Sequence, residues 1–449
     1  MKTSILIATA IFYGLINTQS IQAQNGQELF QQALVMELSN GRVSTAISLY
    51  QRIVMEFSSD RPLVAKALIR LGHAQEAIGS TEAKRAYQRI VSYYPDQREQ
   101  LIVARSRLAA LSTETVGGGN GEVRTILQPR ALCSEQPDDA IATFEDEKLE
   151  LKVRSALLIS AEEDLTCGLV SGLTVLDASD FEIESLVGIQ NLTGLTGLNV
   201  RSNSITDISP LSELTGMVSL HVGENTITDI SALSRLTGLT NLTIRCNYSI
   251  SDISALRRLT NLTGLNMRCN SITDISALSG LTNLTDLHFG FNMVTDISAL
   301  SGLTSLTDIR ALNNSITDIS ALRGLTNLTS IRFQENSISD ISPLSGLTNL
   351  AEVRLHSNSI SDISAVGGLT NLTLLQLSSN DVTDISGLSG LTSLTNLRLQ
   401  GNPDLSNIQP LLSNTGLGAA DLVRLESTNV SCTDVVALRA RVRVQSDCP

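Results

Sequence analysis

Arg310, Arg332 and Arg354 stand 22 residues apart. Guanidinium groups set at one period are suited to holding carboxylates or phosphates through paired, planar hydrogen bonds. The same frame places Asn199, His221, Thr243, Asn266, His288, Arg310, Arg332, Arg354, Gln376 and Arg398 in one column. Two residues on runs a second column of Arg201, Gly223, Arg245, Arg268, Gly290, Leu312, Gln334, His356, Ser378 and Gln400. Together they hold seven arginines and three of the four histidines of a chain with net charge −13. The candidate ligand-binding residues are Arg201, His221, Arg245, Arg268, His288, Arg310, Arg332, Arg354, His356 and Arg398. Asp308 and Glu352 each precede an arginine by two residues. They share its strand face, so the row also reads as a self-neutralised, solvated surface. No aromatic occupies either column, and Phe289 and Phe333 fall at core positions.

Other chemistries find no support. His221, His288 and His356 are three repeats apart, too far to share one metal. The serines recur with the repeat rather than converging with a base and an orienting group. The recurrent "NLT" triplets match glycosylation sequons, but the repeat consensus accounts for them. No enzyme activity, metal or cofactor is expected. The acidic balance argues against bulk nucleic-acid binding.

Asparagine keeps the period that positions these columns. It occupies 203, 225, 247, 270, 292, 314, 336, 358, 380 and 402, with one step of 23 at the insertion near Tyr248. Asn203, Asn225, Asn247, Asn270, Asn292, Asn314, Asn336, Asn358, Asn380 and Asn402 each end an L-x-x-L-x-L-x-x-N run. The central L-x-L predicts a short strand, and stacked coils lay such strands into a parallel sheet. Each amide is placed to bond the turn backbone of its own coil and of the next. After each asparagine comes "D-I-S". Its serines suit N-caps of short helical turns, with Pro210 and Pro343 following two of them. Asp207 and its equivalents read as capping and turn-bonding groups rather than calcium ligands.

The pattern over residues 173–430 resembles the 22-residue leucine-rich repeat of internalin-like bacterial surface proteins. That resemblance implies a curved solenoid with strands on the concave side, short 3-10 turns on the convex side, and ligands on the concave face. The chain departs from it in lacking a C-terminal wall-sorting signal. The first coil, "DASDFEIESL", carries Phe181 in place of the asparagine. Solenoid ends need caps. "FEDEKLELKVRSALL" (144–158) reads as a capping helix, with Leu149, Val153 and Leu157 on one face and Cys133 and Cys167 flanking it as an expected disulfide. "CTDVVALRARVRVQSDC" reads as a closing helix and strand, closed by an expected disulfide between Cys432 and Cys448. Cys246 and Cys269 precede ladder asparagines in adjacent coils, where either a disulfide or two free thiols fits.

The remaining segments complete the plan. Residues 1–23 read as a signal peptide: Lys2, a short apolar core and Ala23. Residues 24–112 read as a helical module resembling tetratricopeptide repeats, on the echo of "YQRIV" at 50–54 and 87–91 with Leu71, Gly72, Ala83 and Pro95. Residues 113–132 form a Gly-rich linker, 133–190 the cap and first coil, 191–402 the repeats, and 403–449 the terminal coil and cap. The expected protein is exported: periplasmic, surface-associated or secreted, without membrane insertion once the signal is cleaved. It is expected to bind an acidic protein or an anionic polysaccharide through its Arg/His face. The alternative is an envelope scaffold whose helical module carries recognition while the solenoid acts as a spacer. Oligomeric state is left open.

Overall fold

The computed structural model describes residues 25–37, 42–78, 82–113, 125–160 and 163–449. The segment read as a signal peptide, Gly79 and most of the Gly-rich linker lie outside them. Two compact units divide at Val123 and Arg124.

The first unit is all helix: α1 (Gly26–Glu37), α2 (Val43–Glu56), α3 (Arg61–Ala77), α4 (Glu82–Tyr93) and α5 (Arg98–Thr113). The two "YQRIV" echoes lie on α2 and α4. There Tyr50, Ile53, Tyr87 and Ile90 are wholly buried, as their helical spacing demands. Gly72 lets α3 and α4 approach, since a Cβ there would come within 2.5 Å of the Tyr87 ring. Asp60 caps α3 by accepting from the Leu63 amide, with Pro62 in the first turn.

The second unit is one sheet of thirteen strands, each paired only with its neighbours in chain order. It runs from β1 (Val175–Asp177) to β13 (Arg443–Gln445), and the pairs are parallel and in register throughout. Each strand is three residues long with its middle residue buried in nearly every case. Opposite the strands, short 3-10 turns such as Ser209–Glu213 and Ser298–Leu300 return the chain. Leucines and isoleucines from every coil fill a single continuous core. No coil could bury its apolar face alone, so the stack is the unit of stability.

The asparagine ladder bonds backward rather than forward. Asn225 Oδ1 accepts from the Ile205 amide (3.0 Å), and its Nδ2 donates to Val200 O (3.0 Å) and Val222 O (3.2 Å). The expectation that each amide serves the next coil is thus corrected: it serves its own turn and the preceding coil. The reason is local. The residue just before each asparagine is left-handed, with φ of 51–56° at Ser202, Glu224, Cys246, Cys269, Phe291 and their equivalents, and 72° at Gly401. That reversal aims the side chain back along the stack. A non-glycine residue pays about 1 kcal/mol for it, which the buried amide bonds offset. The 23-residue coil breaks the pattern once. Tyr248 is inserted and 68% exposed, and Asn270 Oδ1 is buried without a partner, although its Nδ2 still donates to Ile244 O and Met267 O.

The expected serine caps are corrected as well. Ser209 and its equivalents open the 3-10 turns, and the preceding Ile208-type residue holds the cap position without a side-chain bond. The capping acceptor is the aspartate two residues earlier. Asp207, Asp229, Asp274, Asp296, Asp318, Asp340 and the others accept the serine amide at 2.7–2.8 Å. Most also accept the serine hydroxyl. The Asp column is therefore spent on turn geometry, and among the described residues no cluster is arranged to hold a metal.

Both ends are closed. The helix α6 (Glu147–Ala156) lays Leu149 and Val153 on the core, and Cys133 is bonded to Cys167. At the other end, a short helix (Cys432–Arg439) and β13 complete the stack, with Cys432 bonded to Cys448. Cys246 and Cys269 are free thiols. Burial, then the neighbouring Cys269, pushes the Cys246 thiol up to about 11, which favours its protonated form at neutral pH.

The ladder generates a ranking. Asn292→Ala, which removes an acceptor and several donor contacts, is expected to cost about 3 kcal/mol. Asn270→Ala, whose Oδ1 already lacks a partner, should cost about 1 kcal/mol less. Denaturant midpoints of the two variants check the order.

Candidate functional site

The column of Asn199, His221, Thr243, Asn266, His288, Arg310, Arg332, Arg354, Gln376 and Arg398 occupies the third position of successive strands. Register brings its members directly beside one another. The register also adds Arg424, the partner of Arg398 on the next strand. Sequence reasoning missed it because the step from 398 to 424 is longer than the repeat, with an α-helical turn at Gln409–Ser413 in place of a 3-10 turn. The returning "LVRLE" at 422–426 is the signal that could have found it.

The arginines are not equivalent. Arg310 makes a two-pronged contact with Asp308, Nε to Oδ1 at 3.1 Å and Nη2 to Oδ2 at 3.2 Å. Glu352 lies between two guanidiniums: Arg332 on the preceding strand reaches its Oε1 at 3.0 Å, and Arg354 on its own strand pairs with the same oxygen. Two carboxylates thus hold the three stacked arginines together and lower their mutual repulsion. Glu224, at a left-handed turn position, joins Arg201 (3.0 Å) to Arg245. Arg268 lies 4.4 Å over the Phe291 ring. Arg398 donates from Nε to Asn396 Oδ1 at 3.3 Å. Among the described residues Arg268, Arg398 and Arg424 have no carboxylate at ion-pair distance.

The histidines contribute shape more than charge. His221, His288 and His356 are half-buried between strands, and Nε2 of His221 and of His288 is enclosed without a partner. Burial first, then the flanking arginines, holds His221 below the usual range and pulls His288 down to about 4. In His356 burial again dominates a lowering that Arg354 and Arg398 assist and Glu335 opposes. A column read as basic is therefore basic only through arginine at neutral pH. Beside His288, an open depression is lined by Asn241, Thr243, Gly264, Asn266, Asp286 and Asp308.

Phe289 and Phe333 are wholly buried, as expected. Aromatics do reach the surface at the left-handed turn edge, through Tyr248 and Phe291. That edge was not singled out from the sequence.

Comparison with known proteins agrees with this geometry. The family described as "Leucine Rich repeats (2 copies)" matches residues 260–302 and 326–368, and "Leucine rich repeat" matches 348–403. An internalin (inlF) of Listeria monocytogenes is 33% identical over 68% of this chain and 95% of its own, with a TM-score of 0.60. The functional domain of InlJ from the same species, described as including a cysteine ladder, is 26% identical over 64% of this chain and 65% of its own (TM-score 0.55). A leucine-rich repeat protein of Leptospira interrogans shares the fold at 22% identity over 62% of this chain and 73% of its own (TM-score 0.57). No curated protein sequence matches the chain.

Because His288 is held at about 4 in the fold, against about 6.5 in an unfolded chain, the unfolded state binds the extra proton between those values. Stability should be complete above pH 6.5 and fall as pH drops toward 4. His288→Asn should flatten that part of the profile, read from denaturant midpoints across the range.

Proposed function

This chain belongs to the leucine-rich repeat proteins of internalin type, which mediate protein–protein interaction, and on that premise we propose that it is an exported binding protein whose strand face takes an anionic ligand. The ligand is an acidic protein or an anionic polysaccharide. The observation that carries the reading is the set of arginines held in register on one face of a chain that is acidic overall. The 3-10 edge holds Asp207, Asp229 and their equivalents, each already engaged by a serine. Rigid backbone fixes each guanidinium before the ligand arrives, so less conformational entropy is lost on binding. Internalin-type relatives and the two closed disulfides support an exported site of action. No helix among the described residues is long and apolar enough to cross a membrane.

The test compares the chain from residue 24 with a variant in which Arg201, Arg245, Arg268, Arg310, Arg332, Arg354 and Arg398 are all changed to Gln. Both are immobilised and exposed to envelope proteins and acidic polysaccharides at low and moderate salt. The expected result is a ligand retained by the native chain, released by salt and lost with the variant. Equal retention by both would move recognition to the helical module and leave the solenoid as a spacer. Matching circular dichroism excludes misfolding of the variant.

A further inference from the structure

We infer that the C-terminal end of the strand face is a docking site for an extended segment of a partner protein that alternates carboxylate and aliphatic side chains. The site spans β10 (Leu374–Gln376), β11 (Asn396–Arg398) and β12 (Leu422–Arg424). The inference rests on the strand-face reading above and gives it a location and a ligand class.

Two independent features coincide there. The first is charge. Arg398 and Arg424 are register partners on adjacent strands, about 4.8 Å apart. Elsewhere on the face Arg201 and Arg245 share the carboxylate of Glu224, and Arg332 and Arg354 share that of Glu352. Here none is at ion-pair distance. Arg424 Nε is enclosed with no hydrogen-bond partner, as is Glu426 Oε2 two residues further on. Two adjacent like charges without a counter-charge are unfavourable and favour an anion supplied from outside. Burial, then Arg424 and Arg354, lowers the Arg398 pKa, the expected consequence of that crowding.

The second feature is apolar. The first strand position points to the same face. It holds Gly197, Ser219, Asn241, Gly264, Asp286, Asp308, Ser330 and Glu352 along the middle of the sheet, but Leu374 on β10 and Leu422 on β12. Both leucines are partly exposed and flank Asn396 in register. A polysaccharide or a phosphate would meet the guanidiniums but gain nothing from two leucines. An extended peptide gains from all three groups: carboxylates on the Arg398–Arg424 pair, an aliphatic side chain between the leucines, and main-chain bonds to the amides.

The test is fluorescence anisotropy of the full chain with a labelled peptide alternating Asp or Glu with Leu or Val. Controls are the same peptide with Asn and Gln for the acids, polyglutamate, and heparin as a sulfated glycan. Variants are Arg398→Gln/Arg424→Gln and Leu374→Ser/Leu422→Ser, all with native thermal midpoints. The expected result is binding of the acidic–aliphatic peptide alone, weakened about tenfold or more by either double variant. Tight heparin or polyglutamate binding that the arginine pair abolishes and the leucine pair leaves unchanged would overturn the inference in favour of a simple polyanion site. No peptide binding would overturn it too. If the seven-arginine variant loses its ligand while Arg398→Gln/Arg424→Gln keeps it, the strand-face reading stands and this location falls.

Discussion

The structure depends on one repeated bond set: a ladder asparagine that ties its own turn to the backbone of the coil before it. A 22-residue coil exposes a row of leucines on one side and unpaired peptide groups at each corner. Stacking removes the leucines from water. It would be opposed by the corner amides and carbonyls if nothing answered them. One carboxamide supplies an acceptor and two donors and reaches the points where the strand ends and the turn begins. The left-handed residue before it is the strained element that makes the reach possible. Asp207 and its equivalents do the corresponding work at the other corner.

Once the corners are fixed, the strand face is a grid with a constant period, and charge can be arranged on it with little cost to the core. The grid does not carry a uniform basic stripe. Asp308, Glu352 and Glu224 are interleaved with five arginines, and burial and neighbouring arginines disfavour the charged form of three histidines. Uncompensated guanidinium is concentrated at Arg268, against an aromatic ring, and at the Arg398–Arg424 pair. Binding specificity on such a surface comes from where neutralisation is incomplete rather than from total charge.

The insertion at Tyr248 shows how tolerant the grid is. One extra residue displaces a tyrosine into solvent and leaves a single asparagine oxygen unanswered, yet strand register on either side is kept, Thr243 opposite Asn266 and Asn266 opposite His288. The two thiols on the flanking turns remain unbonded.

By itself the sequence determined the repeat, the inward and outward letters, the end caps and the two end disulfides. Each follows from a local rule: a period of two along a strand, a fixed coil length, an amphipathic helix beside a cysteine. It also placed the seven arginines on one face. Only the tertiary structure decided the direction of the ladder bonds, the neutral state of His288, the sharing of Glu352 between two coils, and the membership of Arg424. All four turn on distances between residues of different coils or on a left-handed turn. Such distances depend on how coils are offset and twisted, which the letters of one repeat do not encode.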